Sequence, residues 1–324
     1  TPNKSYSFSI DSIQLISDQQ MAAAKSFKII PALDEEAFAK KKGVQADWFK
    51  IDLNNITISQ LNFHELLREN ILAGNAMLSR SSIKIYKDMT LPPDGKSRIG
   101  TYPQQRIAQI PIPIELKTLQ LKNTYLEYKE KGRIVQKTGR VIFKNLNGTF
   151  HNISNKKSAI AKNNLLTADL NAVFLHKYPV KTQWKFYLSN PRGRFDVKGQ
   201  LGTLDARDAN EIIVPLGGAR VDKGKLDALS FDLKADDYGM EGSVKILYKD
   251  LKVSVLKKDE ATRELKKRKL ASVGVNLLVK NNNPSGNKPP RIANIHFERD
   301  TTRSMFHMSW KTLMKGIKET AMSN

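Results

Sequence analysis

The chain has 324 residues, of which 40% are hydrophobic and 27% are charged. This length and composition suffice for one large folded domain or two ordinary ones and exclude a disordered protein. The absence of cysteine excludes disulfides, cysteine-ligated zinc and thiol nucleophiles, while a formal net charge of +22 leaves nucleic acid and anionic membranes as partner classes to be weighed.

The first strand-like segment, Tyr6–Ile10, follows almost directly on Thr1. A start so close to structure suggests a truncated or processed chain, with any signal or anchor upstream. No run of apolar residues approaches the roughly 20 that a membrane-spanning helix needs. Membrane attachment, if it occurs, is therefore expected from a segment outside this chain or from its surface.

Four segments share an unusual spacing of apolar residues, two positions apart, then three, then two. They are FSIDSIQL (8–15), IDLNNITI (51–58), IELKTLQL (114–121) and ILYKDLKV (246–253). Alternation predicts a strand with one apolar face, and a single slip predicts a β-bulge or tight bend that returns the apolar residues to that face. The spacing therefore predicts strands that bend within a curved, twisted sheet.

Helical signals are few in the first third of the chain. DEEAFAKKK, after Pro31, predicts a short helix with acidic residues in its first turn. Residues 89–113 hold five of the 13 prolines and predict a loop. The expected segments are a β-rich module at 1–88, this loop at 89–113, a curved β-sheet module at 114–302 and a helix at 303–321, and they can also form one continuous domain.

Period-two alternation dominates the rest of the chain, as in VDKGKLDALSFDLKAD at 221–236. This pattern is typical of an antiparallel sheet with one solvent-exposed face. We expect a mainly β fold: a long, curved, predominantly antiparallel sheet that forms a groove, with few short helices and a C-terminal amphipathic helix.

The final helix has an apolar side and a basic side. The apolar side comprises Phe306, Trp310, Leu313, Met314 and Ile317, and the basic side comprises Lys311, Lys315 and Lys318. This pattern fits a helix that caps the sheet and fits equally a helix that lies on an anionic membrane surface. The sequence leaves both interpretations open, and these eight residues are the candidate membrane contacts.

No local motif for catalysis or metal binding is present. The five histidines are scattered, the glycines near Gly218 do not have P-loop spacing, and no Gly-x-Ser-x-Gly segment occurs. Lys and Arg are dispersed rather than clustered with stacking aromatic residues, which disfavours nucleic acid. We therefore expect a protein that is not an enzyme, with no cofactor, no metal and no nucleic-acid partner.

Several segments together resemble the AsmA-type envelope proteins of Bacteroidota. They are WFKIDLNNITISQLNF, SSIKIYKDMTLPP, IPIELKTLQLKNTYLEYKEK and TGRVIFKNLNGTFHNIS, followed by GSVKILYKDLKVSVLKKD and SMFHMSWKTLMKGIKE. The resemblance implies a periplasmic β domain anchored to the inner membrane by an N-terminal segment absent here. It also implies a lipid-binding groove of the kind found in bridge-like lipid-transfer proteins, with a part in outer-membrane biogenesis or maintenance.

The pattern of strands and helices points to the same function, because a sheet with few helices must cover its apolar face with something else. The expected partners are a phospholipid or other envelope lipid, a membrane surface and envelope proteins. The candidate lipid-groove residues are Ile51, Leu53, Ile56, Ile58, Ile114, Leu116, Leu119, Leu121, Ile246, Tyr248, Leu251 and Val253. The alternatives are a structural or interaction β-sandwich without a lipid and an enzyme acting on envelope glycans, which would need a polar cleft.

Overall fold

The computed structural model describes residues 5–133, 135–258, 265–267 and 279–322. Strands account for 53% and helices for 18%, and the strands join into one large mixed sheet. The predicted mainly β fold with few short helices and a C-terminal helix is therefore confirmed.

The strands and helices of the described residues are as follows. The strands are β1 Tyr6–Asp11, β2 Gln14–Ile16, β3 Met21–Pro31, β4 Asp47–Ser59, β5 Ile71–Ser79, β6 Ser82–Asp88, β7 Ile114–Lys131, β8 Thr138–Ser154, β9 Leu165–Phe174, β10 Tyr178–Tyr187, β11 Phe195–Leu201, β12 Leu204–Asp205, β13 Ala219–Ala235, β14 Gly239–Lys258, β15 Leu265–Lys267 and β16 Ala293–Glu298. The helices are α1 Glu35–Lys42, α2 Phe63–Leu66, α3 Pro103–Ala108, α4 Lys157–Lys162, α5 Asn210–Gly217 and α6 Met305–Ala321, with a 3₁₀ turn at Ala206–Ala209.

The sheet follows the order β1-β3-β4-β5-β7-β8-β9-β10-β11-β13-β14. Strand β6 continues β5 and lies between β4 and β7. Both β5 and β6 run parallel to β7, and the other pairings are antiparallel. A parallel pairing needs a crossover connection, and residues 89–113, which carry α3, provide it. Strands from both sides of the proline-rich segment thus share one sheet.

The slipped spacing corresponds to backbone bends. Ser12, Asn55 and Asp250, each within one slipped segment, have positive φ of 56°, 47° and 56°. In IELKTLQL no residue has positive φ. For this segment the bent residue lies on the neighbouring strand β8. Asn152 of β8 has φ of 62° and lies opposite Lys117 of the segment. One left-handed residue re-aims the side chains that follow it.

Several of these bends line up across neighbouring strands. Asn55 of β4, Arg80 at the β5–β6 junction, Asn123 of β7 and Asn145 of β8 all have positive φ. The Asn147 side chain ties two of the bent strands together, because its Oδ1 accepts a hydrogen bond from the Asn123 N–H at 2.9 Å. Asparagine tolerates the left-handed region better than most residues with a Cβ atom. The aligned bends form a crease across the N-terminal half of the sheet.

Cross-strand pairs show that the apolar residues share one face. One row lies on the side of the crease that contains the second half of β4 and the first half of β7. It consists of Leu15, Ala22, Ile58, Ala76, Leu119, Phe150, Ala168, Trp184, Val197, Leu233, Gly242 and Ile295. The row on the other side of the crease consists of Phe8, Ile29, Ile51, Ile83, Leu126, Phe143, Phe174 and Tyr178.

The two rows lie on the same side of the sheet because β9 and β10 connect them without a bend. Ala168 and Phe174 are six residues apart on β9, and Tyr178 and Trp184 are six apart on β10. Residues an even number apart on a regular strand point to the same face. We call this side the apolar face and the other side the opposite face.

The sheet curves around α6. The Phe306 ring lies 4.2 Å from the Tyr128 ring of β7, while Gly316 packs directly on Val244 of β14. Strands β7 and β14 are six strand positions apart, which is about 29 Å in a flat sheet, whereas Phe306 and Gly316 are only about 15 Å apart along the helix axis. A single helix can contact both strands only if the sheet is strongly curved.

A buried ion pair locks the crossover over the C-terminal half of the apolar face. The Arg299 guanidinium lies 3.1 Å from the Asp237 carboxylate, and neither side chain is exposed to solvent beyond 1%. Arg299 also donates to the Arg98 carbonyl at 3.0 Å and stacks 4.6 Å above the Tyr102 ring. The Tyr102 ring in turn packs edge-on against Phe195 at 5.3 Å.

The crease gives a first test. Replacing Asn123 by Val places a β-branched residue at φ of 51°, and we expect the free energy of unfolding to fall by about 1–3 kcal/mol. Asn123→Gly, which adopts this conformation freely, should cost much less. Urea unfolding monitored by circular dichroism measures both values, and equal losses for Val and Gly would contradict a conformational role for this position.

Candidate functional site

The apolar face is uncovered over β1–β5 and the first half of β7, a region we call the open apolar face. Phe8 and Leu15 on the edge strands are 57% and 60% exposed, and the apolar side chains of β3, β4 and β5 on this face are mostly half-buried. Among the described helices, α1 packs its Phe38 on Trp48 of the opposite face, and the single turn α2 contacts only one end of β5. Nothing else in the described part of the chain forms a layer over these strands.

Eight of the predicted groove residues lie on the open apolar face. They are Ile51, Leu53, Ile56 and Ile58 of β4 and Ile114, Leu116, Leu119 and Leu121 of β7, and all are half-buried. Ile58 and Leu119 both pair with Ala76 of the intervening strand, so the two sets form one surface.

The four predicted groove residues of β14 are placed differently. Ile246, Tyr248 and Leu251 are 5%, 1% and 7% exposed and belong to the covered C-terminal core. The Tyr248 hydroxyl accepts a hydrogen bond from Arg291 at 2.9 Å. Val253 lies beyond them on β14 and is 37% exposed. Ile246, Tyr248 and Leu251 therefore contact protein rather than an open surface. Val253 is exposed but lies on β14, away from β1–β5 and β7, so none of the four is part of the open apolar face.

Helix α6 packs into the curve of the sheet on two sides. Its most buried residues, Met308, Thr312, Gly316 and Thr320, form a stripe at four-residue intervals. The threonine hydroxyls are satisfied within the helix, since Thr312 donates to the Met308 carbonyl at 2.9 Å and Thr320 to the Gly316 carbonyl at 2.8 Å. This small stripe allows the helix to approach β14 closely.

The predicted membrane-contact residues of α6 are five apolar residues and three lysines, and the two kinds lie in different surroundings. Phe306 and Trp310 pack with Tyr128, Val141 and Ile212. Leu313 and Ile317 pack against the C-terminal core, and Met314 is half-buried. The three lysines Lys311, Lys315 and Lys318 are exposed. In this arrangement, four of the five apolar side chains contact protein, so the helix packs on the sheet as in the first of the two interpretations.

Titratable groups cluster where α6 begins. The Glu130 carboxylate accepts a hydrogen bond from the Tyr128 hydroxyl at 2.7 Å, and burial raises the pKa of Glu130. Burial lowers the pKa of His307 to about 4, and the neighbouring cations Lys311 and Arg303 act in the same direction. His307 is therefore neutral at pH 7, where it is part of the helix packing.

A charged cleft of about 900 Å³ lies at the rim of the sheet, between α1, the β7–β8 turn and α5. Its charged lining residues are Glu35, Lys129, Lys137, Arg140, Glu211 and Arg220. Sequence analysis did not find this cleft, because its residues come from three regions that are far apart in the chain, at 35, 129–140 and 210–220. The sequence feature that pointed towards a binding site for negatively charged partners was the net positive charge of the chain.

Gly316 tests the close packing of α6. A Cβ atom there would lie 2.6 Å from Val244, so Gly316→Leu should reduce the free energy of unfolding by about 1–3 kcal/mol or more through overpacking. The control Lys318→Leu places the same side chain at an exposed position of the same helix and should have little effect. Thermal unfolding compares them, and similar melting temperatures for both variants would refute the packing of α6 on β14.

His307 gives a pH test. The unfolded chain binds a proton at this residue near its ordinary pKa of 6.5, but the folded chain does so only near 4. The contribution of neutral His307 to stability is therefore complete above pH 6.5 and is lost as the pH falls towards 4. We expect His307→Gln to lose less stability than the parent protein between neutral pH and pH 5 in urea titrations. Glu130 titrates in both proteins, so an unchanged pH dependence would contradict this role of His307.

Comparison with known proteins assigns no family to the chain. No family model matches it, and no curated protein matches it either. Within the described residues, no helix is both long and apolar enough to cross a bilayer. The geometry of the open apolar face and of the charged cleft is therefore the basis on which a function can be proposed.

Proposed function

We propose that this chain is a non-enzymatic lipid-binding protein whose open apolar face holds acyl chains. The observation that carries the proposal is the unbroken row of cross-strand apolar pairs that runs from Leu15 at the sheet edge through Ile58 to Leu119. A contiguous exposed apolar surface of this kind is a ligand site or an interaction site in a stable protein.

Acyl chains suit this surface because they need no polar recognition. Burial of hydrocarbon contributes about 0.8 kcal/mol per methylene, so a chain of about 16 carbons gains substantial binding energy from an apolar floor alone. The half-buried side chains of β3, β4 and β7 provide such a floor. This mode of binding also accounts for a sequence without catalytic or metal-binding motifs.

The sequence resemblance supplies the cellular setting of the proposal. As in AsmA-type envelope proteins, the chain would act in the periplasm, joined to the inner membrane by an N-terminal segment, with phospholipid or another envelope lipid as cargo. Envelope proteins would continue the path beyond the edge strands β1 and β2. The role would be in outer-membrane biogenesis or maintenance.

The alternative is a structural β protein of the envelope that binds no lipid. In a β-sandwich, a second sheet packs on the apolar face of the first. Strands β1–β5 have no second sheet over them within the described residues. The alternative therefore needs a protein partner as the second layer, and lipid content separates the two possibilities.

Leu119 and Gln120 provide matched variants for this test. Leu119 lies on the open apolar face between Ala76 and Phe150, and Gln120 is exposed on the opposite face. We expect Leu119→Asp to reduce the lipid that co-purifies with the protein, because a carboxylate repels hydrocarbon. Gln120→Asp adds the same charge and should leave lipid content unchanged. Mass spectrometry of organic extracts measures the lipid-to-protein ratio.

The melting temperatures of the same two variants complete the test. On an open face the new carboxylate stays hydrated, so the Leu119→Asp variant should melt within a few degrees of the parent protein. In a protein core an unpaired charge is severely destabilising. Parent protein without lipid, together with a large loss of stability in the Leu119→Asp variant, would contradict the proposal and favour a structural protein.

A further inference from the structure

We propose that the charged cleft at the rim of the sheet is a binding site for a phosphate-bearing ligand. Four cationic side chains line it, Lys129, Lys137, Arg140 and Arg220, against two carboxylates. The cleft is broad and open to solvent, with a volume of about 900 Å³, so a phosphate group carried on a larger molecule can reach these cations. Arginine and lysine together offer the planar donor fork and the compact charge that phosphate oxygens accept.

The cations of the cleft are unequally engaged. Lys129 is paired with Glu35 at 2.9 Å, and Arg140 lies 3.7 Å from Glu127. Within the described residues, Lys137 and Arg220 have no carboxylate within ion-pair distance. These two side chains are therefore available to a ligand, and Lys129 becomes available if its carboxylate partner is removed.

The walls of the cleft are fixed by close packing. A Cβ atom on Gly132 would lie 2.1 Å from the Pro215 carbonyl oxygen, so α5 rests directly on the end of β7. The Asn210 side chain accepts a hydrogen bond from the Val221 N–H at 2.8 Å and donates to the Val221 carbonyl at 2.9 Å. This pair of bonds holds the backbone next to Arg220 in place, which reduces the cost of ordering the site on binding.

The cleft is separate from the open apolar face. Lys129 pairs with Tyr86 and points to the opposite face, whereas the adjacent Tyr128 points to the apolar face. A ligand in the cleft therefore does not share the surface proposed for acyl chains. The phosphate can belong to a soluble molecule or to the headgroup of a lipid that remains in a bilayer, and the same cations would bind either.

The experiment compares the parent protein with the double variant Lys137→Gln/Arg220→Gln. Calorimetry with inorganic phosphate and glycerol 3-phosphate tests a soluble ligand, and flotation with phosphatidylcholine vesicles containing phosphatidic acid tests a headgroup. We expect affinity for at least one probe to fall about tenfold or more in the double variant. The control Lys181→Gln/Lys185→Gln removes the same charge from exposed positions of β10 and should bind as the parent does.

Glu35→Gln gives a test of opposite sign. It removes a negative charge from the cleft and releases Lys129, so binding should become tighter. Loss of calorimetric binding in the double variant identifies a soluble ligand, and loss of vesicle binding alone identifies a headgroup. Absence of binding to every probe, or equal weakening in the cleft and control variants, would overturn the proposal. Lipid content on the apolar face is measured separately and does not depend on this result.

Discussion

The structure depends on keeping the long rows of apolar side chains on one side of a sheet that bends. A regular strand alternates its side chains, so any bend that adds a residue would turn the remaining apolar positions outward. Left-handed residues at aligned positions, among them Asn55, Asn123 and Asn145, reset the alternation on neighbouring strands together. The apolar rows therefore continue across the crease, and the sheet curves without exposing its apolar residues on both faces.

The apolar face of a sheet must be covered by protein or by a ligand, and the described elements of this chain cover only part of it. Helix α6, helix α5 and the crossover at 89–113 pack on the C-terminal half, where Phe195, Val244 and Met308 are fully buried. The buried Arg299–Asp237 pair joins the β13–β14 turn to the segment before α6, and removal of either partner would leave an uncompensated charge. Both partners also hydrogen-bond to the crossover, Arg299 to the Arg98 carbonyl and Asp237 to the Gly100 N–H. The N-terminal half has no comparable layer within the described residues. This asymmetry places the proposed lipid site on β1–β5 and β7 rather than along the whole sheet.

The sequence predicted where the strands bend, but it did not predict which part of the apolar face other elements of the chain cover. The slip in IDLNNITI correctly predicted a bend, because alternation is a property of the strand itself and the left-handed residue, Asn55, lies within the segment. The same spacing at Ile246 and Leu251 could not reveal that α6 and the segment before it cover β14. Trp310 and Phe306 gave a pattern that sheet packing and membrane contact share. The charged cleft could not be predicted from the sequence, because its cations come together only in the folded chain.

Photo-crosslinking with a diazirine-labelled fatty acid tests most directly whether the open apolar face binds acyl chains. The folded protein is irradiated with the probe, and modified residues are located by tandem mass spectrometry. We expect adducts on the open apolar face, at positions such as Ile58 and Leu119, and none at the covered Val244. Adducts confined to the opposite face or to α6, or no adducts at all, would contradict it.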